Sequence, residues 1–394
     1  MAAHDLSVED RFDFDDLYEL ALRRCGSRPA RFVKIGACRS RSALYMAERI
    51  HKTGADVQFH IVDTFAGDRH VGDQDLWPEF AASFDRAGLL SLITAHRATS
   101  ERSAAVFELG SVNFAFIDAG STFEDVSRDI NAWWRRVRPG GLLAGRDYRH
   151  SAEVAAAVDR FVAERGLSCA FRTSGSSWAI YKSLTIDAGY CINLPHRTDR
   201  HRRAALQFQA SGVAGWTRFF NAIDGRNLRH PGSVSDGQAG CAASHLAVLR
   251  AALECGHRNV LIFEDDVRLV PNFTARLHAA LARCPSTYDL CYLGALCRAD
   301  WGNYLHPLDD LLSRVGHVYG AHAYIVNMER FMEIEAGIVG LDTVLDHWYA
   351  RVLHPRSNCY VCTPYLAFQT PGYSDIARAY NRDDPESYST YVWA

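Results

Sequence analysis

A short apolar run that ends in three consecutive acids constrains this chain more than any other feature. Residues 260–263 are Val-Leu-Ile-Phe, the next three are Glu264, Asp265 and Asp266, and Val267 resumes the apolar pattern. This profile predicts a buried strand whose carboxyl end carries the acids. Open parallel sheets bind ligands at the carboxyl ends of their strands, and hard divalent cations prefer carboxylate oxygens. We therefore expect a nucleotide diphosphate held through Mn²⁺ or Mg²⁺; the alternative is an acidic turn that faces solvent.

Composition limits the classes of protein that this chain can represent. Its 394 residues allow two or three domains, and its net charge of -3 argues against a basic surface for nucleic acid. The first ten residues lack the pattern of a secretory signal. No apolar run approaches the roughly 18 residues of a membrane span. The eleven cysteines are scattered in apolar contexts, as in reduced core positions. We expect a cytoplasmic protein without a transmembrane segment; the oligomeric state cannot be read from the sequence.

The first half alternates strand and helix patterns, which predicts a mostly parallel sheet covered on both faces. Predicted strands cover residues 31–35, 57–62, 91–95, 112–117, 142–144, 168–172 and 177–182, and predicted helices cover residues 12–25, 42–50, 76–87, 126–136 and 153–165. A small-residue turn follows the first strand, and Asp63 ends the second, where a ribose hydroxyl is often bound.

Residues 12–182 resemble a class I S-adenosylmethionine-dependent methyltransferase. Matching motifs are Ile-Gly at 35–36, Asp-Thr-Phe-Ala-Gly at 63–67, Ile-Asp at 117–118, Pro-Gly-Gly at 139–141 and Asp-Tyr at 147–148. The resemblance implies a Rossmann-like fold, with Asp63 and Asp118 as the residues to test if S-adenosylmethionine still binds. Four departures fall on the site: Lys34 replaces an acid, Ser40 replaces a glycine, Gly120-Ser121 replaces Asp-His, and Arg146 replaces an Asp. We interpret residues 12–182 as a degenerate methyltransferase-like domain.

The second half begins with a predicted strand over residues 190–194 and a basic loop. Asn193, Arg197 and Arg200 suit a nucleotide and its phosphates, although Arg197 and Arg200 could instead form exposed ion pairs with Asp199. A helix is predicted over residues 246–255, with Ser244 and His245 near its amino-terminal end as candidate anion ligands. A lone His there could equally be a capping or core residue.

The second half resembles the family-25 glycosyltransferases in the order of its motifs, which are Ile-Asn-Leu with Arg-x-Asp-Arg, then Gly-Cys-x-x-Ser-His, then Phe-Glu-Asp-Asp-Val. The resemblance covers residues 188–378 and leaves residues 379–394 as a C-terminal tail. It implies a GT-A fold, a UDP-sugar donor, a divalent metal and inversion at the anomeric carbon. One departure is Gln238, where the family commonly has Glu.

The resemblance and the chemistry together assign hypothetical roles in this second domain. Asp266 would ligate Mn²⁺, Glu264 and Asp265 would orient the ribose or the waters of the metal, and Gln369 would contact a sugar. His347 is a further candidate metal ligand. Inversion needs a carboxylate that deprotonates the acceptor hydroxyl, and the candidates are Asp342, which is preferred, and Asp346.

Three functions therefore remain open for the chain. The favoured one is a hexosyltransferase, most simply for galactose or glucose, whose first domain acts as a scaffold or recognises the acceptor. The others are a bifunctional methyltransferase and glycosyltransferase, and a non-catalytic binding or assembly protein. The acceptor could be a glycolipid saccharide, a peptide or a natural product.

Overall fold

The chain divides into two units, Met1–Leu184 with Pro285–Thr287 and Thr185–Cys284 with Tyr288–Ala394. The structure is a computed structural model that describes residues 14–26, 28–37, 41–66, 74–168, 170–296, 304–374 and 379–381. Ser40 and most of the predicted C-terminal tail lie outside these residues. Within the described residues, no helix combines the length and the apolar character that a membrane span requires.

The first unit is built on one seven-stranded sheet. Its strands are β1 Ala30–Ile35, β2 Val57–Asp63, β3 Ile93–Arg97, β4 Val112–Ile117, β5 Val137–Gly145, β6 Phe171–Ser174 and β7 Ser177–Tyr181. The spatial order is β3-β2-β1-β4-β5-β7-β6. The first five strands pair in parallel, whereas β7 runs antiparallel to both β5 and β6. This arrangement is the predicted Rossmann-like sheet.

Helices connect these strands, as parallel pairing requires. They are α1 Asp15–Cys25, α2 Arg41–Thr53, α3 Trp77–Arg86, α4 Ser100–Val106, α5 Phe123–Trp134 and α6 Ala152–Glu164. The hydroxyls of Thr122 and Ser151 accept backbone N–H bonds at the starts of α5 and α6. Five helices were predicted, whereas α4 was missed because its seven residues are too few to show a helical period. Trp133 and Trp178 are fully buried in the core of this unit.

The second unit contains an eight-stranded mixed sheet and two small two-stranded sheets. The strands are β8 Ala188–Asn193, β9 Thr217–Asn221, β10 Asn259–Glu264, β11 Val267–Leu269, β12 Leu290–Tyr292, β13 Leu305–Pro307, β14 Leu312–Val315, β15 Ala323–Asn327, β16 Cys359–Cys362, β17 Ala367–Gln369, β18 Gly372–Ser374 and β19 Ala379–Asn381. The large sheet has the order β13-β14-β16-β12-β15-β10-β8-β9, while β11 pairs with β17 and β18 with β19. Because β8 is parallel to both β9 and β10, the carboxyl ends of these three strands meet at one edge.

Helices α7 Thr198–Ala210, α8 Asp236–Glu254, α9 Phe273–Arg283, α10 Phe331–Ile338 and α11 Leu345–Trp348 complete the unit. The predicted start of α8 at residue 246 was wrong, because the helix begins about three turns earlier. Ser235 caps the helix through a reciprocal hydrogen-bonded pair with Gln238, which fixes its start at Asp236. Gln238, which departs from the family pattern, therefore has a local role as the partner of the cap.

Candidate functional site

A cavity of about 540 Å³ opens beside the carboxyl ends of β8 and β10 in the second unit. A cavity of this volume falls in the range of ligand sites. Sequence-predicted residues in its lining are Arg200, Ser244, His245, Glu264, Asp265, Asp266 and Gln369. His196, Asp224, Arg226 and Cys241 also line it and were not assigned a role from the sequence. The sheet edge predicted from the acidic strand thus carries a cavity of nucleotide size.

Asp265 is held from two sides by the loop and helix that follow β8. Asn193 Nδ2 donates to Asp265 Oδ2 at 2.7 Å, and an Arg200 N–H donates to Asp265 Oδ1 at 2.8 Å. Both oxygens of this buried carboxylate are therefore engaged. Asp265 is positioned by the protein and cannot turn freely toward a ligand.

Asp266 differs from its neighbour in having a carboxylate oxygen without a hydrogen-bond partner among the described residues. Its Oδ2 lies 3.3 Å from Arg200, while Oδ1 is buried and makes no hydrogen bond among the described residues. Burial, with the negative charge of Glu264, raises the pKa of Asp266 from 3.8 to about 7. A buried, unpartnered carboxylate oxygen is a position that a cation or a ligand hydroxyl would satisfy.

The side chain of Glu264, the last residue of β10, contacts residues of both α8 and β17. Its Oε1 is 3.4 Å from His245 Nε2 and 3.9 Å from Cys241 Sγ, and its Oε2 accepts a 3.3 Å hydrogen bond from Gln369. Burial raises the pKa of Glu264, but the hydrogen bond and charge of His245, together with the charges of His322 and Arg200, lower it overall. Glu264 is thus the anionic partner of the side chains that surround it.

Ser244 and His245 lie in the middle of α8 and not at its amino-terminal end, so the predicted anion site of the helix terminus is wrong. The Ser244 hydroxyl donates to Gly240 O at 2.6 Å and accepts from Ile223 N–H at 2.8 Å. This pair of bonds joins the helix to the loop after β9. His245 is 1% exposed and directs Nδ1 to the Tyr324 hydroxyl at 2.7 Å.

Two glycines bring the loop after β9 against α8 at the cavity wall. A Cβ at Gly225 would lie 1.7 Å from Asp236 O, and a Cβ at Gly240 would lie 2.7 Å from Ile223 O. Neither position can accept a side chain without movement of the backbone. The two segments therefore touch directly through their main chains.

Four other predicted residues lie away from the described lining of the cavity. Arg197 makes hydrogen bonds of 3.0 and 2.9 Å with Asp199, as the ion-pair alternative expected. Asp342 and His347 are exposed, and the His347 ring lies 5.0 Å from that of Tyr319. Asp346 accepts a 2.9 Å hydrogen bond from Gly320 N–H. The catalytic roles of Asp342 and Asp346, and metal binding by His347, remain predictions.

In the first unit, Asp63 ends β2 and Asp118 follows β4, the two strands that flank β1. Both carboxylates already have partners within the protein. Asp63 accepts backbone hydrogen bonds from Ala37 at 2.6 Å and Phe65 at 2.8 Å. Asp118 pairs with Lys34 at 2.5 Å and Arg146 at 2.9 Å. Lys34 is 1% exposed, and burial lowers its pKa despite the neighbouring carboxylate.

Two of the departures noted in the sequence thus act together: the Lys34 and Arg146 cations bind the acid that follows β4. The two cations thus neutralise the Asp118 carboxylate within the protein. The close approach at Gly36, whose Cβ would lie 2.0 Å from Asp118 O, nonetheless retains the compact turn of the fold.

Comparison with protein families agrees with this division of the chain. Residues 33–148 match a model described as "Methyltransferase domain", and residues 187–306 match "Glycosyltransferase family 25 (LPS biosynthesis protein)". Among solved structures, the O-methyltransferase NovP is 15% identical and matches 42% of this chain and 78% of its own, with a TM-score of 0.37.

The curated relatives that this chain resembles carry the name of glycosyltransferase family 25. A "Glycosyltransferase 25 family member" of Drosophila melanogaster is 25% identical over 199 residues, covering 44% of this chain and 32% of the relative. An "Inactive glycosyltransferase 25 family member 3" of Homo sapiens is 31% identical over 130 residues, covering 27% of this chain and 22% of the relative. The chain spans less than a third of the length of either. It thus joins a domain that matches a methyltransferase model to a second domain that matches glycosyltransferase family 25.

Proposed function

We propose that this protein is a metal-dependent inverting glycosyltransferase that moves a hexose from a UDP-sugar to an acceptor hydroxyl. The observation that carries the proposal is the buried Oδ1 of Asp266, which has no partner in the part of the chain that the structure describes and lies in a cavity that Arg200 also lines. Together they offer a cation ligand and a phosphate ligand in one space. Galactose and glucose are the sugars to test first.

The residues around Asp266 fit a divalent cation. Mn²⁺ and Mg²⁺ take carboxylate oxygens, and Asp266 Oδ1 lacks any other partner among the described residues. Asp266 would hold the ion, with Glu264 adjacent. A bound cation supplies positive charge that stabilises the departing nucleoside diphosphate.

Arg200 would contact the diphosphate directly. Its side chain is 12% exposed, and its guanidinium contacts both Asp265 and Asp266. A guanidinium has five N–H donors, so an arginine that already binds carboxylates can still donate to phosphate oxygens. Asn193 and Arg200 hold Asp265 rigidly, and in our proposal Asp265 orients the ribose or the waters of the cation.

We favour Asp346 over Asp342 as the base that removes the proton of the acceptor hydroxyl. The charge of Asp346 contributes to the raised pKa of Cys241, after burial and the charge of Glu264, and Cys241 lines the cavity. Asp342, by contrast, is exposed. The Gly320 N–H fixes the Asp346 carboxylate by one oxygen. A fixed carboxylate near the cavity can accept a proton from a hydroxyl as that oxygen attacks the sugar.

The first unit would act as a scaffold or recognise the acceptor, without transferring a methyl group. This part of the proposal is supported by the pairing of Asp118 with Lys34 and Arg146. Calorimetric titration with S-adenosylmethionine should give no heat of binding, whereas transfer of a labelled methyl group would favour the bifunctional alternative.

The deciding experiment is calorimetric titration of UDP into the full chain with and without Mn²⁺. We expect binding that requires Mn²⁺, disappears in Asp266→Ala and persists in Asp310→Ala, an exposed acid of the same unit. Metal-independent binding, or equal loss in both variants, would contradict the role of Asp266. Absence of UDP binding by the wild type would remove the support for a UDP-sugar donor. Turnover would then be measured with UDP-galactose and UDP-glucose against glycolipid saccharide, peptide and natural-product acceptors.

A further inference from the structure

Three side chains of different chemistry converge at the wall of the cavity. Cys241 and His245 are four residues apart and face the same side of α8, and Glu264 ends β10. One ligand atom from each residue lies within 4.8 Å of the others. All three residues line the cavity, and the proposed function leaves both Cys241 and His245 without a role.

Two of the three separations in this cluster are close to those around a tetrahedral ion. With bonds of about 2.3 Å to sulfur and about 2.0 Å to nitrogen or oxygen, tetrahedral angles place S and O about 3.5 Å apart and N and O about 3.3 Å apart. The corresponding distances are 3.9 Å for Cys241 Sγ to Glu264 Oε1 and 3.4 Å for His245 Nε2 to the same oxygen. Small rotations of the side chains would suffice to bind an ion.

Hydrogen bonds already orient two of the three ligands. His245 Nδ1 lies 2.7 Å from the Tyr324 hydroxyl, which in turn lies 3.3 Å from the Tyr349 hydroxyl. When Nδ1–H donates to Tyr324 and a metal ion displaces the proton of Nε2, the lone pair of Nε2 is directed to the cluster. Gln369 donates to the second oxygen of Glu264. Outer hydrogen bonds of this kind are typical of built metal sites.

We propose that Cys241, His245 and Glu264 form a zinc site, with its fourth position open to the cavity. A thiolate, an imidazole and a carboxylate favour Zn²⁺ over Mn²⁺ or Mg²⁺, which prefer oxygen ligands alone. Three protein ligands and one open position would let the ion bind water or a ligand in the cavity. This inference goes beyond the proposed function, because the site requires neither a nucleotide nor the carboxylate of Asp266.

Cobalt provides a direct test, because a cysteine thiolate bound to Co²⁺ gives a near-ultraviolet charge-transfer band. Co²⁺ is titrated into the reduced, metal-free full chain under anaerobic conditions without nucleotide, and Zn²⁺ is then added. We expect a stoichiometric thiolate band with tetrahedral visible bands, both abolished by Zn²⁺. Cys241→Ser should remove the thiolate band, while Cys255→Ser, an exposed cysteine that ends the same helix, should retain it.

A second variant tests the orientation of His245 without removing a ligand. Tyr324→Phe should weaken Co²⁺ binding by about 10-fold to 100-fold, the usual effect of losing an outer hydrogen bond. The zinc site would be overturned by a thiolate band that survives Cys241→Ser, or by the absence of a band with the wild type. The contact between Cys241 and Glu264 would then be a hydrogen bond from a thiol to a carboxylate and not part of a metal site. Either result is independent of the UDP titration, so failure of the zinc site and failure of the donor proposal are distinguishable.

Discussion

Replacing Asp266 by asparagine should stabilise the metal-free protein, because the surroundings of the native carboxylate oppose its ionisation. Elevation of the Asp266 pKa from 3.8 to about 7 corresponds to about 4 kcal/mol against the ionised form, since each pKa unit is worth about 1.4 kcal/mol. The neutral amide of Asp266→Asn would avoid this cost but would weaken the contact with Arg200, for which we subtract about 2 kcal/mol. Asp265, which binds Arg200 at 2.8 Å, keeps that contact in the variant.

The expected net gain at pH 8 is therefore about 2 kcal/mol, or about 4–8 °C in Tm for a unit of this size. The gain depends on pH in a defined direction. Because folding raises the pKa of this acid, its contribution to stability is complete below about pH 4 and is lost as the pH rises through about 7. At about pH 5 most wild-type molecules carry protonated Asp266, so the advantage of Asp266→Asn should largely vanish.

Differential scanning calorimetry of chelator-treated protein at about pH 5 and about pH 8 measures this effect. At the higher pH, added Mn²⁺ should raise the Tm of the wild type, because binding at a hundredfold excess over Kd stabilises the folded protein by about 2.7 kcal/mol. The Tm of Asp266→Asn should not change on addition of Mn²⁺. Asp310→Asn is the matched control. If Asp266→Asn melts no higher than the wild type at the higher pH without metal, the charge of Asp266 does not destabilise the site, and our reasoning is wrong.

Three further predictions concern charged groups in both units. Arg200→Gln should weaken Mn²⁺-dependent UDP binding by about 10-fold to 100-fold in calorimetry, because a charged hydrogen bond contributes about 1.5–3 kcal/mol; unchanged affinity would exclude Arg200 from the phosphate site. Lys34→Met should destabilise the first unit by about 3–5 kcal/mol in urea unfolding, because Asp118 loses a buried partner. Adding Asp118→Asn should recover most of this loss. Additive losses in the double variant would refute the pairing. Burial lowers the pKa of His60 from 6.5 to about 4, so the stability that its neutral form contributes is lost as the pH falls from about 6.5 to about 4. In thermal melts, His60→Gln should therefore lose less stability than the wild type over this pH range. An identical pH profile of the two proteins would contradict this prediction.

Features carried by periodicity were the most predictable from the sequence. The strand that ends at Glu264 and the alternation of the first half follow from short apolar runs whose length and flanking residues are typical of buried strands. The acids were correctly placed at a sheet edge with a cavity, because strand direction determines where a carboxyl end lies.

The start of α8 was not predictable in the same way. Gly237 and Gly240 suggest a loop by local propensity, but Gly240 instead permits the contact between α8 and the main chain near Gly225. Tertiary packing therefore decides the conformation of this segment. Cys241 and His245 show their common role only once residues 236–245 are known to be helical, since the spacing of four then places both on one face.

The direct contact near Gly225 and Gly240 has a consequence for substrate choice. Since neither glycine can gain a side chain without displacing backbone, substitutions at these two positions cannot finely adjust the depth of the cavity. The side chains of His196 and Arg226 also line the cavity and are exposed. Under the proposed function, engineering of donor preference should therefore begin at those two side chains and leave the glycine contact unchanged.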